Sequence, residues 1–197
     1  MARRRAKWSD GSVFLVPQSD GLCSVGQVLK RTPGALNSVI CAFYDIRVKP
    51  GAGISADDLS ADKLVSMQFT TPDLLNSGIW AQVAQFAPKH LERMTWLPAL
   101  EKADFVGAVV IGSGNIEEFL DAFYGLRAWD DYADPAYFDK LLLTQDKKPS
   151  RLILTRIVKG EGLGQIRTAA IRQLIGGQHY LRLVQAVCHD WTESNQT

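Results

Sequence analysis

Residues 9–29, SDGSVFLVPQSDGLCSVGQVL, predict a β-hairpin near the start of the chain. The run Val13–Val16 is short and mixes β-branched, aromatic and aliphatic side chains, as strands do. Pro17 cannot donate a backbone hydrogen bond, so we expect it at the end of this strand. Residues 19–21, Ser-Asp-Gly, have turn composition, and a second apolar run follows them. Gly26 interrupts that second run and indicates either a bulge or a place where another backbone or a ligand comes close.

Further strands are expected along the rest of the chain. The residues concerned are 39–48, 64–70, 80–86, 105–111 and 151–158. The first of these stretches is apolar almost throughout, which is typical of a central strand covered on both faces. Together with the hairpin they predict about seven strands, mainly antiparallel.

Helical signals are weaker in the first half and stronger in the second. Residues 55–58, Ser-Ala-Asp-Asp, approximate a capping box and predict a short helix, and residues 71–73, Thr-Pro-Asp, open a one-turn helix or a wide turn. The sequence Trp96-Leu97-Pro98 indicates a stop. After the turn at residues 112–115, with Asn115 as the expected N-cap, apolar side chains recur at helical spacing. They are Ile116, Phe119, Leu120 and Phe123, and a second such stripe is Tyr180, Leu183, Val184, Val187, Cys188 and Trp191.

These patterns predict an α+β fold, with a mainly antiparallel, curved sheet in the N-terminal half and helices packed from the C-terminal half. We expect a basic flexible arm over residues 1–8 and a single domain over residues 9–197. Within that domain, strands dominate residues 9–88 and helices are more frequent in residues 89–197.

Composition limits the classes of function. The chain has 197 residues, 46% of them hydrophobic, and a net charge of +1, which argues against general attraction to nucleic acids or membranes. Residues 3–5, all arginine, form a local basic arm, so nucleic-acid binding remains a minority hypothesis. No stretch approaches the roughly 20 apolar residues that a membrane helix needs. The cysteines Cys23, Cys41 and Cys188 lack a Cys-x-x-Cys spacing and are typical of reduced thiols in a cytoplasmic protein.

The opening of the chain also resembles a known family. The order of motifs is Lys7-Trp8, Asp10-Gly11, Val13-Phe14-Leu15-Val16-Pro17, Asp20-Gly21, Gly26-Gln27-Val28 and, later, Gly78-Ile79-Trp80. This order is similar to that of the immunity protein 26 family, over roughly residues 4–88. The first corner departs from the family pattern, because Asp10 precedes Gly11 where the family has Gly-Asp.

The resemblance implies a cytoplasmic bacterial protein of contact-dependent inhibition that neutralises a toxin by direct protein–protein contact. The toxin would be nuclease-like or another polymorphic toxin. The same grouping is linked by name to HocA-type phosphotriesterases, so organophosphate hydrolysis is the alternative. We predict no cofactor and no metal ligands.

Trp80 and an acidic, aromatic loop at residues 129–134 supply the expected partner-binding residues. Aromatic side chains act as anchors in many interfaces, and carboxylates suit a basic toxin surface. The residues are Trp80, Trp129, Asp130, Asp131, Tyr132 and Asp134. The same carboxylates could also bind a divalent cation, although their spacing is not that of an EF-hand.

A catalytic site is harder to build from this sequence. A metal-dependent phosphotriesterase needs several histidine and carboxylate ligands, whereas the chain has only His90, His179 and His189. On one helix the last two would lie about 15 Å apart, too far to share an ion. If the protein is an enzyme, the candidate residues are His189, Asp190, Asp130 and Asp131. The turn at residues 112–115 could also hold a phosphate, but a structural turn is the more economical reading.

Overall fold

The structure is a computed structural model that describes residues 6–155. The strands in this part are β1 Ser12–Pro17, β2 Cys23–Arg31, β3 Val39–Val48, β4 Leu64–Thr70, β5 Ala81–Gln85 and β6 Val110–Ile111. They form one six-stranded sheet in the order β5-β1-β2-β3-β4-β6, antiparallel except for the β4–β6 pair, and the sheet is not closed. The predicted α+β class is confirmed.

The helices follow β4 in the chain. They are α1 Asp73–Ser77, α2 Leu97–Lys102 and α3 Ser113–Phe123, and 3₁₀ turns occur at Gly34–Leu36, Leu91–Arg93, Phe138–Leu141 and Gln145–Lys147. No helix within residues 6–155 is long and apolar enough to cross a membrane.

The opening hairpin forms as its sequence predicts. Val13 pairs with Gln27 and Leu15 with Val25 across the antiparallel β1–β2 ladder, and Pro17 ends β1. In the turn, Gly21 takes a φ of +85°, and the backbone N–H of Leu22 donates to Asp20 Oδ1 at 3.1 Å. Because successive side chains of a strand point to opposite faces of the sheet, neighbouring residues of β1 belong to different faces.

Both faces of the sheet are covered, as predicted for β3. On one face the strands pack against α3 and residues 129–142, and on the other against residues 54–59 and α2. The first face includes Phe14, Val28, Cys41, Phe43 and Trp80. The second face includes Val13, Leu15, Ile40, Tyr44 and Phe69. One sheet thus carries two hydrophobic cores.

The strand prediction for residues 105–111 is largely wrong. Only Val110 and Ile111 pair with β4, whereas the residues before them form turns, and both Asp104 and Phe105 have positive φ. The prediction was wrong because the apolar residues of this stretch resemble a strand, although the chain turns at Gly107, whose φ is +89°. Residues 151–155 form no strand either, and the rest of the predicted strand at 151–158 lies outside the described residues. The described chain has six strands instead of about seven.

Three local helix predictions also need correction. Residues 55–58 form a turn in which Asp58 accepts from the backbone N–H of Ser55 at 2.8 Å, but no helix follows. The sequence Trp96-Leu97-Pro98 begins α2, because proline is compatible with the first helical turn. Asn115 lies inside α3, whose N-cap is Gly112, and the Asn115 side chain donates to the Tyr137 hydroxyl at 3.0 Å. The apolar stripe at residues 180–191 lies outside the described part of the chain.

Candidate functional site

Trp80 and Trp129, the two tryptophans predicted as partner anchors, lie in the core. Their exposed fractions are 1% and 2%. Trp80 stacks on Phe14 with ring centroids 5.1 Å apart, and its indole N–H donates to Glu117 at 3.0 Å. Trp129 packs against Phe138 and donates to Asp139 at 3.0 Å. A partner cannot reach covered rings, so the structure assigns these two residues to the packing of α3 and residues 129–142 on the sheet.

Each carboxylate of the acidic loop has a local role. Asp130 accepts from the backbone N–H of Thr155 at 2.6 Å and also from its hydroxyl. Asp131 lies 3.4 Å from the Arg127 guanidinium. Asp134 accepts from the Lys140 ammonium at 2.7 Å, and this bond, together with one from the backbone of Ala136, lowers the pKa of Asp134. Asp131 and Asp134 are exposed, but neighbouring cations partly offset their charges.

Tyr132 is half-buried in the same loop. Its ring stacks on Tyr137 at 4.4 Å, Arg127 lies over the ring, and its hydroxyl donates to Glu118. Burial, followed by the bond to Glu118, raises the pKa of Tyr132, so the phenol stays protonated at neutral pH. The surface of this loop therefore consists of the half-buried ring of Tyr132 and the exposed carboxylates of Asp131 and Asp134, which are close to it in the chain.

The predicted catalytic residues are not brought together by the described structure. His189, Asp190 and His179 lie outside the described residues. Within residues 6–155, no group of three or more histidine, cysteine, aspartate or glutamate side chains is arranged to hold a metal ion. His90 contacts the backbone carbonyl of Leu59 at 3.0 Å. Hydrolysis therefore stays a prediction.

A surface that the sequence did not reveal lies at the β6 edge of the sheet. Trp96, Val106 and Val109 are exposed by 46%, 77% and 70%. Trp96 and Phe105 pack on the buried ring of Phe69, with centroids 5.8 and 6.0 Å away. Val106 follows Phe105 directly, and Val109 precedes Val110, which pairs with Phe69 in the ladder. We call Trp96, Val106 and Val109 the apolar patch.

The sequence concealed this patch for a simple reason. A run of apolar letters such as FVGAVVI is typical of a buried strand, and only its central Gly107 could have signalled a turn. Because of this turn, Val106 and Val109 do not pair with the sheet, and their side chains are exposed to solvent. Exposed Lys102 and Asp104 stand beside them in the chain. Large apolar side chains rimmed by polar ones are typical of protein interaction sites.

No known protein family, no curated protein and no solved structure matches this chain. The resemblance of the opening hairpin to the immunity protein 26 family therefore stays a prediction that rests on the motifs themselves.

Proposed function

We propose that this chain is a protein-binding module, an immunity-like protein that neutralises a bacterial toxin by covering part of its surface. The observation that carries the proposal is the apolar patch, because Val106 and Val109 expose most of their side chains to solvent. Aromatic and aliphatic anchors surrounded by polar residues provide much of the binding energy at interfaces. The motif order of the opening hairpin supports the choice of an immunity-like role.

The contact is expected to centre on the apolar patch, with Tyr132, Asp131 and Asp134 as a second, polar surface. Trp96 offers the largest ring, whose inner side is held by Phe69. A fixed aromatic side chain loses little conformational entropy on binding, which favours it as an anchor.

The test uses the genes that flank this one. Each neighbouring product is expressed in a laboratory bacterium with and without this chain, and growth is measured. We expect one product to arrest growth and wild-type chain to restore it. The double variant V106D/V109D should lose this rescue, since two buried carboxylates would lack partners in the complex. Gln82→Asp, an exposed change on β5, is the matched control and should rescue fully.

The possible outcomes test the proposed function and the proposed contact surface separately. If no neighbouring product is toxic, or if none is relieved by the wild-type chain, the proposed function is wrong. If V106D/V109D rescues as well as the control while Asp131→Lys does not, the acidic loop and not the apolar patch is the contact surface.

A further inference from the structure

The turn that carries the apolar patch is held in a strained conformation. Asp104 and Phe105 take φ values of +49° and +61°. Positive φ costs energy for a residue with a bulky side chain, so packing must maintain it. The Phe105 ring packs on Phe69, with centroids 6.0 Å apart, and its backbone N–H donates to the carbonyl of Leu100 in α2 at 2.7 Å. These contacts fix the turn, and Val106 is exposed at its surface.

The chain leaves the described residues at the same edge of the sheet. The backbone N–H of Thr155 donates to Asp130 at 2.6 Å, and the carbonyl of Ile153 accepts from the N–H of Trp129 at 2.8 Å. The segment that begins at Trp129 continues to Leu141, whose carbonyl accepts from two side chains of β4. Because β6 pairs with β4 on the side away from β3, the patch and this segment lie along one edge of the sheet.

The sequence after Thr155 contains an apolar surface of its own. Its side chains recur at helical spacing and constitute the second stripe: Tyr180, Leu183, Val184, Val187, Cys188 and Trp191. An amphipathic helix owes most of its stability to the packing of its apolar face. The chain thus combines a stripe that requires an apolar partner with a patch that residues 6–155 leave exposed.

The length of the connecting chain favours a contact within one molecule. Residues 156–179 separate the second stripe from Thr155. A tether of this length spans roughly 27 Å as a random coil, and about three times as much when extended. Tethering gives the stripe an effective concentration near the patch on the order of millimolar. A second copy of the chain at micromolar concentration would have to compete with it.

The charged residues beside the two surfaces are complementary. Exposed Lys102 and Asp104 flank the turn of the patch. In the sequence of the second stripe, Arg182 lies near one end and Asp190 near the other. Opposite charges can therefore meet at the rim of the contact, where they favour one orientation over the reverse.

We propose that residues 180–191 pack the second stripe over the apolar patch of the same molecule. The contact shields Trp96, Val106 and Val109 from water in the free protein. As a regulation of the surface in the proposed function it rests on that function, because a toxin that binds the patch must first displace this segment. The contact itself does not require a toxin.

Disulfide trapping in the full chain tests the contact, because Cys188 belongs to the second stripe. Val106→Cys and Val109→Cys each place a thiol in the patch, and the other cysteines of the described residues are buried. With copper phenanthroline as oxidant and micromolar protein, we expect an intramolecular disulfide to Cys188 in at least one variant. It requires Cα atoms within about 7 Å and is detected by non-reducing electrophoresis and by mass spectrometry of the linked peptides. Gln82→Cys, on β5 at the opposite edge of the sheet, is the control and should link at least tenfold more slowly.

A second pair of variants tests whether the second stripe directs the linking. Leu183→Asp should slow it about tenfold, since its carboxylate would be buried in the contact without a partner. Gln185→Asp adds the same charge outside the stripe and should link at the original rate. Linking at neither patch position, equal linking in Gln82→Cys, or an unchanged rate in Leu183→Asp would each overturn the proposal.

Disulfides between two molecules would also overturn it, in favour of a second copy as the occupant of the patch. Because no toxin is present, the result is independent of the growth assay. Absence of linking with intact rescue rejects only the contact with residues 180–191, whereas linking without rescue by the wild-type chain rejects only the proposed function.

Discussion

At the scale of single residues, the hairpin depends on a glycine whose role is steric. A Cβ added to Gly26 would lie 2.4 Å from Phe14 Cζ and 2.5 Å from Phe14 Cε2. The Phe14 ring occupies this space because it is also stacked on Trp80 and meets Phe43 edge-on. The closest approach at Gly26 is therefore made by an aromatic side chain of the paired strand, and not by a backbone or a ligand as the sequence predicted.

Gly26→Ala should lower the free energy of unfolding by about 1–3 kcal/mol, the usual effect of overpacking a core. Urea denaturation of the full chain measures it. The matched control is Gly53→Ala, since no heavy atom lies within 4 Å of the Cβ position there, and it should change stability little.

A second variant tests the cause. In the Gly26→Ala background, Phe14→Leu should cost less than it does alone, because the smaller side chain relieves the contact. Strict additivity of the two effects would show that the Phe14 ring is not the obstacle.

At the scale of elements, the sheet protects both of its edges. On β5, a register shift opposite Val13 and Phe14 leaves Val83 as an extra residue, and such bulges discourage edge-to-edge pairing. At the other end, β6 covers only the end of β4. The side chains of Ser66 and Gln68 donate to the carbonyl of Leu141, and Leu143 donates to that of Val65 at 2.8 Å. Residues 141–143 thus cover the part of the β4 edge that β6 leaves unpaired.

Helix α3 is joined to the sheet by a half-buried carboxylate. Glu117 accepts from the Trp80 indole at 3.0 Å, and burial raises the pKa of Glu117 despite this bond. The folded chain therefore holds the Glu117 proton more tightly than the unfolded chain does. The contribution of this group to stability is greatest below its unfolded pKa and is lost as the pH rises through its raised folded pKa.

Glu117→Gln keeps an acceptor for Trp80 and removes the titration. We expect the variant to gain stability relative to wild type as the pH rises from about 4 to 7, with little difference at the acidic end. Chemical denaturation at several pH values gives this difference directly. If the difference in unfolding free energy between the two proteins does not change with pH, the titration of Glu117 does not contribute to the pH dependence of stability.

At the scale of the whole molecule, the two cores share the same strands. Phe119 of α3 belongs to the core on one face, whereas Leu59 belongs to the core on the other. Because each of β1 to β4 contributes residues to both, loss of either core removes support from the entire sheet. The described part of the chain should then unfold in one transition.

Phe119→Leu and Leu59→Ala test this coupling from opposite faces. Both side chains are fully buried, so each variant should lose about 1–4 kcal/mol of stability. Hydrogen exchange of the β3 amides should accelerate in both variants in proportion to that loss. Acceleration confined to one variant would mean that the faces are independently stable.

The sequence by itself determined the hairpin, β3, β4, β5 and the apolar stripe of α3, because these elements depend on local periodicity and turn chemistry. The burial of Trp129 and the exposure of Val106 and Val109 were decided only by tertiary structure. Trp129 looked like a surface anchor and is buried against Phe119 and Phe138, whereas Val106 and Val109 looked like a buried strand and are exposed. Periodicity shows which side chains share a face of an element, but only the packing of distant segments decides whether that face is covered. The apolar patch therefore appears only in the folded chain.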